Sequence, residues 1–311
     1  EPAGAGRSRC PARVYCAAVN EPPRSTVVVD GMALAQELRA EIAAEVAALV
    51  AAGHRPPCLA VVLVGDDPAS LSYIKGKRRA CARAGIESRE HDLPAHAGEQ
   101  DVLALVDALN RDAHVDGILV QLPLPKQIRA TAVTEATDPA KDVDGLHTRN
   151  AGRLLAGLPG LRPCTPLGIL EVLDRHRVPL AGARAVVVGR STLVRKPVAM
   201  LLLERHSTVT ICHSRTRDLG AVCREAEVLV ACAGSPLLVK REWIRPGAAV
   251  IDLGVNMVDG RQVGDVDFEG AQGIASLITP SRGGVGPLTI TMLLRNTLEA
   301  YKARTGFGAT S

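Results

Sequence analysis

Ser70, Tyr73 and Lys77 follow one another at spacings of three and four, so a helix through them presents all three on one face. A phenol beside an ammonium can orient a substrate, and a lysine taken partly out of water loses its proton nearer neutral pH and can act as a base. A solvated helix face is the alternative, since Lys75, Arg78 and Arg79 share the stretch. Gln121 ends an apolar run and precedes Leu122-Pro123-Leu124-Pro125, whose prolines stiffen the exit; its amide is expected at a cleft at the strand end. Lys141-Asp142-Val143-Asp144-Gly145 places two acids in a loop. A carboxylate accepting two adjacent N–H donors would recognise an amino-pyrimidinone ring, with a plain turn as the alternative. Gly283-Gly284-Val285-Gly286-Pro287 opens the last helix with glycines that let backbone approach a ligand.

A second group of candidates lies further along. The strand Ala185–Val188 runs into Gly189-Arg190-Ser191, and a strand, glycine turn and helix start would set phosphates against free backbone N–H groups. Only one glycine of the dinucleotide fingerprint is present, so ordinary strand–helix packing stays equally open. The next strand ends in Cys212-His213-Ser214-Arg215-Thr216, with Ser214 25 positions after Gly189, about where a reader of the adenosine ribose belongs. NAD would call for an acid there, whereas a 2′-phosphate calls for arginine and hydroxyl donors. The chain offers Arg190, Ser214 and Arg215 and no acid, so a bound dinucleotide should be NADP. His147 and His213 have no partners at metal-ligand spacing and the eight cysteines form no CxxC pair, so no metal site is expected.

The elements that would position these residues alternate from Val27 onward. Met32–Ala52, a stretch starting at Asp67-Pro68 and ending at Gly85, Val102–Leu109, Leu167–Arg175 and Pro287–Tyr301 read as helices. Cys58–Val64, Gly117–Gln121, Ala183–Val188, Thr208–Cys212, Glu227–Ala231 and Ala248–Leu253 are short apolar runs suited to strands buried on both faces. Residues 138–163 read as a loop. Such alternation predicts α/β architecture with parallel sheets in two domains, and suspects residues just after each strand. With 311 residues and 47% hydrophobic content the chain can bury two cores. Six aromatic residues are too few for a single-strand nucleic-acid reader built on stacked rings, and no apolar run approaches the ~18 residues of a membrane span. Half of the net charge of +4 lies in residues 1–26, so no general polyanion binder is expected. That segment lacks the apolar core of a secretory signal and is read as a disordered tail on a cytoplasmic protein, with an organellar transit peptide or an upstream-start artefact as alternatives.

Taken in order, VGDDPASLSYIKGKRRACARAGI (64–86), DGILVQLPLP (116–125), KDVDGLH (141–147), RPCTPLGIL (162–170), VVVGRS (186–191), TVTICHSRT (208–216), VIDLGVN (250–256), GDVDFE (264–269) and ITPSRGGVGPLTITMLLRNT (278–297) closely resemble the bifunctional methylenetetrahydrofolate dehydrogenase/methenyltetrahydrofolate cyclohydrolase family. The resemblance implies a folate-binding α/β domain over 27–165 plus 287–311, an NADP-binding Rossmann-like domain over 166–286, a folate cleft between them, and a homodimer. It implies tetrahydrofolate derivatives as substrates, oxidation of the methylene form with NADP⁺, hydrolysis of the methenyl form to 10-formyltetrahydrofolate, and so a supply of one-carbon units for purine biosynthesis. By the same resemblance Lys77 is central to hydrolysis with Gln121 assisting, Tyr73 stacks on the folate and Asp144 holds the pterin edge. Leu122, Pro123, Gly283 and Gly284 line the substrate site. Gly189, Arg190, Ser191, His213, Ser214, Arg215, Gly254 and Val255 contact the cofactor. Two departures fall on the NADP side: Arg195 stands where the family has glycine, and Pro280-Ser281-Arg282-Gly283-Gly284 lacks one family proline. Arg195 would either obstruct the diphosphate or bind it. A cyclohydrolase-only or folate-binding regulatory paralogue is the alternative function, and a shikimate-type dehydrogenase would not call for this Tyr73, Lys77, Gln121 and Asp144 set.

Overall fold

The computed structural model describes residues 25–307, so the expected tail falls almost wholly outside the described residues. Thr26 is within them and is anchored, its hydroxyl donating to the Ala275 carbonyl and accepting from the Gly273 amide.

The first half builds a three-stranded parallel sheet of β2 (Cys58–Val64), β3 (Glu87–Leu93) and β4 (Gly117–Val120), in the order β3-β2-β4. Its central strand β2 is buried along its whole length, which is why it reads as an unbroken apolar run. Helix α1 (Gly31–Ala51) starts where the Asp30 carboxylate accepts from the Met32 and Ala33 amides, and it buries Leu34, Leu38, Ile42, Val46 and Leu49. Helix α2 (Pro68–Ala84) is punctuated as its sequence suggests: Asp67 accepts from the Ser70 amide, Pro68 fills the first turn, and Gly85 closes it at φ 71°. The set continues with α3 (Glu99–Arg111), α4 (Ala130–Ala136) and α5 (Thr148–Leu155). Helix α5 corrects the reading of 138–163 as loop: it is two turns long and buries only Asn150 and Leu154, too few for a visible period.

The second half carries α6 (Cys164–Arg175), β5 (Arg184–Val188), α7 (Arg195–Glu204), β6 (Thr208–Cys212), α8 (Leu219–Arg224), β7 (Val228–Ala231) and β8 (Ala249–Asp252). A hairpin of β9 (Asn256–Val258) and β10 (Arg261–Val263), helix α9 (Phe268–Ala271), β11 (Leu277–Ile278) and α10 (Gly286–Thr305) complete it. The large sheet is parallel throughout, in the order β1-β11-β8-β7-β5-β6, and its outermost member β1 (Val27–Val28) comes from the very start of the described chain. The strand that precedes the first sheet therefore belongs to the second.

Helix α10 returns to the first half. The Arg39 side chain on α1 donates to Thr291 Oγ1 (2.9 Å) and to the Pro287 carbonyl (3.0 Å), and Glu45 pairs with Lys302 at 2.7 Å. At the middle of α10, the buried Asn296 amide donates to the Val143 and Arg162 carbonyls, both at 2.8 Å, and so ties the Asp144 loop to the segment entering α6. Near its end, Arg304 reaches Asp116, whose fully buried carboxylate also accepts two bonds from Arg55 and one from the Cys58 amide. Asp116 thus joins the starts of β2 and β4 to the last turn of α10.

Removing a buried carboxylate with four donors leaves those donors short of partners. Asp116→Ala is expected to lower the unfolding free energy by about 3 kcal/mol in urea titration, and a loss below about 0.5 kcal/mol, the size of an ordinary surface effect, would show that this junction is not structural.

Candidate active site

The Lys141–Gly145 loop assigns a separate task to each residue. Lys141 is buried, and its ammonium donates to the Leu109, Asn110 and Asp112 carbonyls at 2.7–2.9 Å, closing the end of α3. Asp142 forms a bridge beside Ile118 of β4, and its carboxylate accepts from the Leu146 and His147 amides and the Asn150 side chain. Val143 enters the core, and Gly145 adopts φ 71° where any Cβ would overlap the Arg162–Pro163 backbone. Asp144 is left as the acid whose carboxylate the fold does not consume.

Beside Asp144 lie Lys77 and Gln121. The Lys77 ammonium donates to Gln121 Oε1 at 2.9 Å, while the Gln121 amide donates to the Leu122 carbonyl at 2.6 Å, which fixes which end of the amide faces the lysine. The Leu122–Pro123 peptide just after Gln121 is cis. Burial pushes the Lys77 pKa down and the Asp144 pKa up, and for each it outweighs the attraction of the other. Tyr73, one turn before Lys77 on α2, is 60% exposed and leaves its ring face open, whereas Ser70 is buried. One member of the cluster is missing from the sequence reading. The Cys164 thiol donates to the Val143 carbonyl at 3.3 Å, sits against Asp144, and is held well above the ordinary thiol range by burial. The 19 residues between it and Asp144 form no recognisable spacing, and the sequence marks it only as part of the RPCTPLGIL motif. Gly283 and Gly284 stand just before α10, with Gly283 at φ 78° and the Gly284 carbonyl so close to Gly31 that a side chain on Gly31 would overlap it.

The remaining candidates gather at the carboxyl ends of the large sheet, where a doubly wound fold takes its ligands. Gly189 follows β5 at φ 125°, and Arg190 is exposed beside the partly buried Ser191. After β6, the His213 amide donates to Thr216 Oγ1 and the His213 ring accepts from the Arg215 amide, which leaves the Ser214 and Arg215 side chains exposed. After β8, Gly254 is buried and Val255 is 71% exposed. Two buried acids shape this rim. Asp265 accepts from the Ala233 amide, from the Gly234 and Ser235 amides at 2.9 Å, and from Asn256. Asp252 accepts from Gly254, Asp265 and Val266. The rim offers a glycine turn no side chain could fill and exposed cations beside it, a donor set that fits a phosphorylated dinucleotide.

Comparison with known proteins agrees with both halves. Residues 29–144 match the family model described as "Tetrahydrofolate dehydrogenase/cyclohydrolase, catalytic domain", and residues 163–305 match "Tetrahydrofolate dehydrogenase/cyclohydrolase, NAD(P)-binding domain". The chain is 56% identical over 279 residues to the bifunctional protein FolD of Sorangium cellulosum, covering 89% of this chain and 97% of that protein. Among solved structures it is similar to the bifunctional FolD of Campylobacter jejuni, with a TM-score of 0.86, 42% identity, and coverage of 90% of this chain and 99% of that one. The Trypanosoma brucei methylenetetrahydrofolate dehydrogenase-cyclohydrolase, solved with NADP cofactor and inhibitor, gives a TM-score of 0.84 at 38% identity, with the same coverage.

Burial raises Asp252 from an ordinary 3.8 to about 6, against the pull of its three amide donors. The folded chain therefore holds this proton more tightly than the unfolded chain, so the group adds stability as pH falls from about 6 toward 3.8 and withdraws it as pH rises. Relative to Asp252→Asn, the unaltered protein should gain up to about 3 kcal/mol of unfolding free energy across that window. Parallel stability profiles for the two proteins would show that Asp252 does not titrate there.

Proposed function

The chain belongs to the tetrahydrofolate dehydrogenase/cyclohydrolase family, and from that premise we propose how its own residues divide the work. It is a bifunctional enzyme of one-carbon metabolism that oxidises 5,10-methylenetetrahydrofolate to the 5,10-methenyl form with NADP⁺ and hydrolyses that product to 10-formyltetrahydrofolate. The observation that carries the assignment of residues is the cluster of Lys77, Gln121 and Asp144 at one end of the small sheet.

The methenyl product is a delocalised cation, and a permanently charged ammonium against it would be repelled. Burial lowers the Lys77 pKa and so enlarges the fraction of neutral amine. In this reading water adds to the cationic one-carbon bridge while Lys77 Nζ takes the proton that water releases. The proton of the adduct's hydroxyl then passes to N5 as the bond from that carbon to N5 breaks, the formyl C=O stays on N10, and the proton held by Lys77 is released to solvent. Gln121 holds the amine by its Oε1 and keeps its lone pair aimed at the water. Asp144 accepts adjacent N–H groups of the pterin edge, and the open ring face of Tyr73 stacks on the folate. Oxidation asks less of the protein: bound NADP⁺ takes up the hydride, and the residues around it need only align the bridge carbon with the nicotinamide. Arg190, Ser214 and Arg215 hold the 2′-phosphate.

The folate unit comprises 27–165 with 287–311, apart from β1, and the cofactor unit 166–286. We also infer a homodimer in the cytoplasm whose product feeds purine synthesis. The dimer is supported by β6, an edge strand with an unpaired side and exposed Thr208, Thr210 and Ile211.

Lys77→Met should cut hydrolysis of methenyltetrahydrofolate by about 10²–10⁴-fold while melting stays unchanged. In the unaltered enzyme the hydrolytic rate should rise with pH as Lys77 loses its proton, along a limb below the ordinary lysine range that the variant lacks. Unchanged hydrolysis in the variant would remove Lys77 from the mechanism, and hydrolysis by the unaltered protein without reduction of NADP⁺ would leave a cyclohydrolase alone.

A further inference from the structure

Arg195 is the first residue of α7, and its side chain does not point into solvent. Its Cδ and Nε lie directly over Gly189, where a Cβ on that glycine would overlap them and would also meet the Cys232 carbonyl oxygen at 2.6 Å. The guanidinium reaches the Cys232 sulfur. The side chain therefore crosses from the end of β5 to the end of β7, while β6 lies on the other flank of β5. This is the point where the strand order reverses, and there an open α/β sheet receives the phosphates of a dinucleotide.

One observation singles Arg195 out, and a second concerns the cations around it. Its Nε is buried and has no hydrogen-bond partner, and the sulfur its guanidinium reaches is a weak acceptor. Among the described residues no carboxylate pairs with Arg195, nor with the neighbouring Arg190, Lys196 and Arg215, so nothing at this rim neutralises their charge. A buried N–H without a partner is costly, and an anionic ligand that accepts from it recovers that cost. The planar fork of a guanidinium matches two phosphate oxygens at once.

We propose that Arg195 binds the diphosphate of NADP⁺, replacing with a charged side chain the close backbone approach that a glycine at this position would allow. The proposal rests on the NADP reading above and concerns only how that site grips its ligand. The side chain lies across the turn after β5, and a diphosphate seated against Gly189 requires it to lift from that glycine.

Calorimetric titration of the full chain with NADP⁺ and with adenosine 2′-monophosphate separates the possibilities, because the second ligand keeps the 2′-phosphate and lacks the diphosphate. Arg195→Gly should weaken NADP⁺ by about 10- to 100-fold and leave adenosine 2′-monophosphate within about twofold. Arg195→Lys, which keeps the charge without the fork, should fall between, and circular dichroism melts of both variants establish that they are folded. Equal or tighter NADP⁺ binding by Arg195→Gly would overturn the proposal and make Arg195 an obstruction or a bystander. An equal loss for both ligands would overturn it as well. Failure of the unaltered protein to bind NADP⁺ would overturn the cofactor reading itself.

Discussion

The amide of Asn296 holds the molecule's chemistry in register. One side-chain nitrogen, buried in the middle of the last helix, bonds at once to the carbonyl before Asp144 and to the carbonyl of Arg162, two residues before Cys164. Without it, the loop that presents Asp144 and the segment that presents Cys164 would meet only through weaker contacts. Its position depends in turn on α10 being seated by Arg39, Glu45 and Asp116 from the first half of the chain. The small sheet fixes Gln121, α2 fixes Lys77, and the bridge from Asp142 to β4 together with the returning helix holds Asp144 beside them.

The fate of each buried acid separates structure from chemistry. Asp116, Asp142 and Asp265 are each surrounded by several donors, so their charges belong to the fold. Asp144 has only a thiol and a nearby lysine against it, so its oxygens keep acceptor capacity to spare; burial raises its pKa, as it also does for the donor-rich Asp142 and Asp252. A site with unmet hydrogen-bonding capacity on the protein side is one in which a ligand can contribute the missing partners. The same logic applies at the cofactor rim, where the unmet atom is the Arg195 Nε.

Legibility in the sequence followed burial and local punctuation. Strand β2 and helices α1 and α2 were readable because each carries its signal within itself, as an apolar run, a stripe or a cap. Strand β3 was not, because ESREHDL is an edge strand with alternate side chains in water, and β1 and β11 span two residues each, too short for any period. Lys77, Gln121 and Asp144 stood out by type and by position after a strand or on a helix face. Cys164 did not, since what makes it matter is a hydrogen bond across a loop. The posture of Arg195 was equally invisible: the sequence marked the residue as a departure, and only the fold lays it across Gly189.

Strand β1 gives the two units an unusual dependence on each other. The described residues start in the large sheet beside β11, leave to build the small sheet, come back for the remaining strands, and close on a helix seated against the first half. The halves are interlaced rather than strung in series. A cut between them would strip the large sheet of its border strand and leave α10 without a seat, so neither piece is a transferable module. Any movement of the two units must then be a flexing of joined parts, since they cannot part company without unravelling an edge of one and a helix of the other.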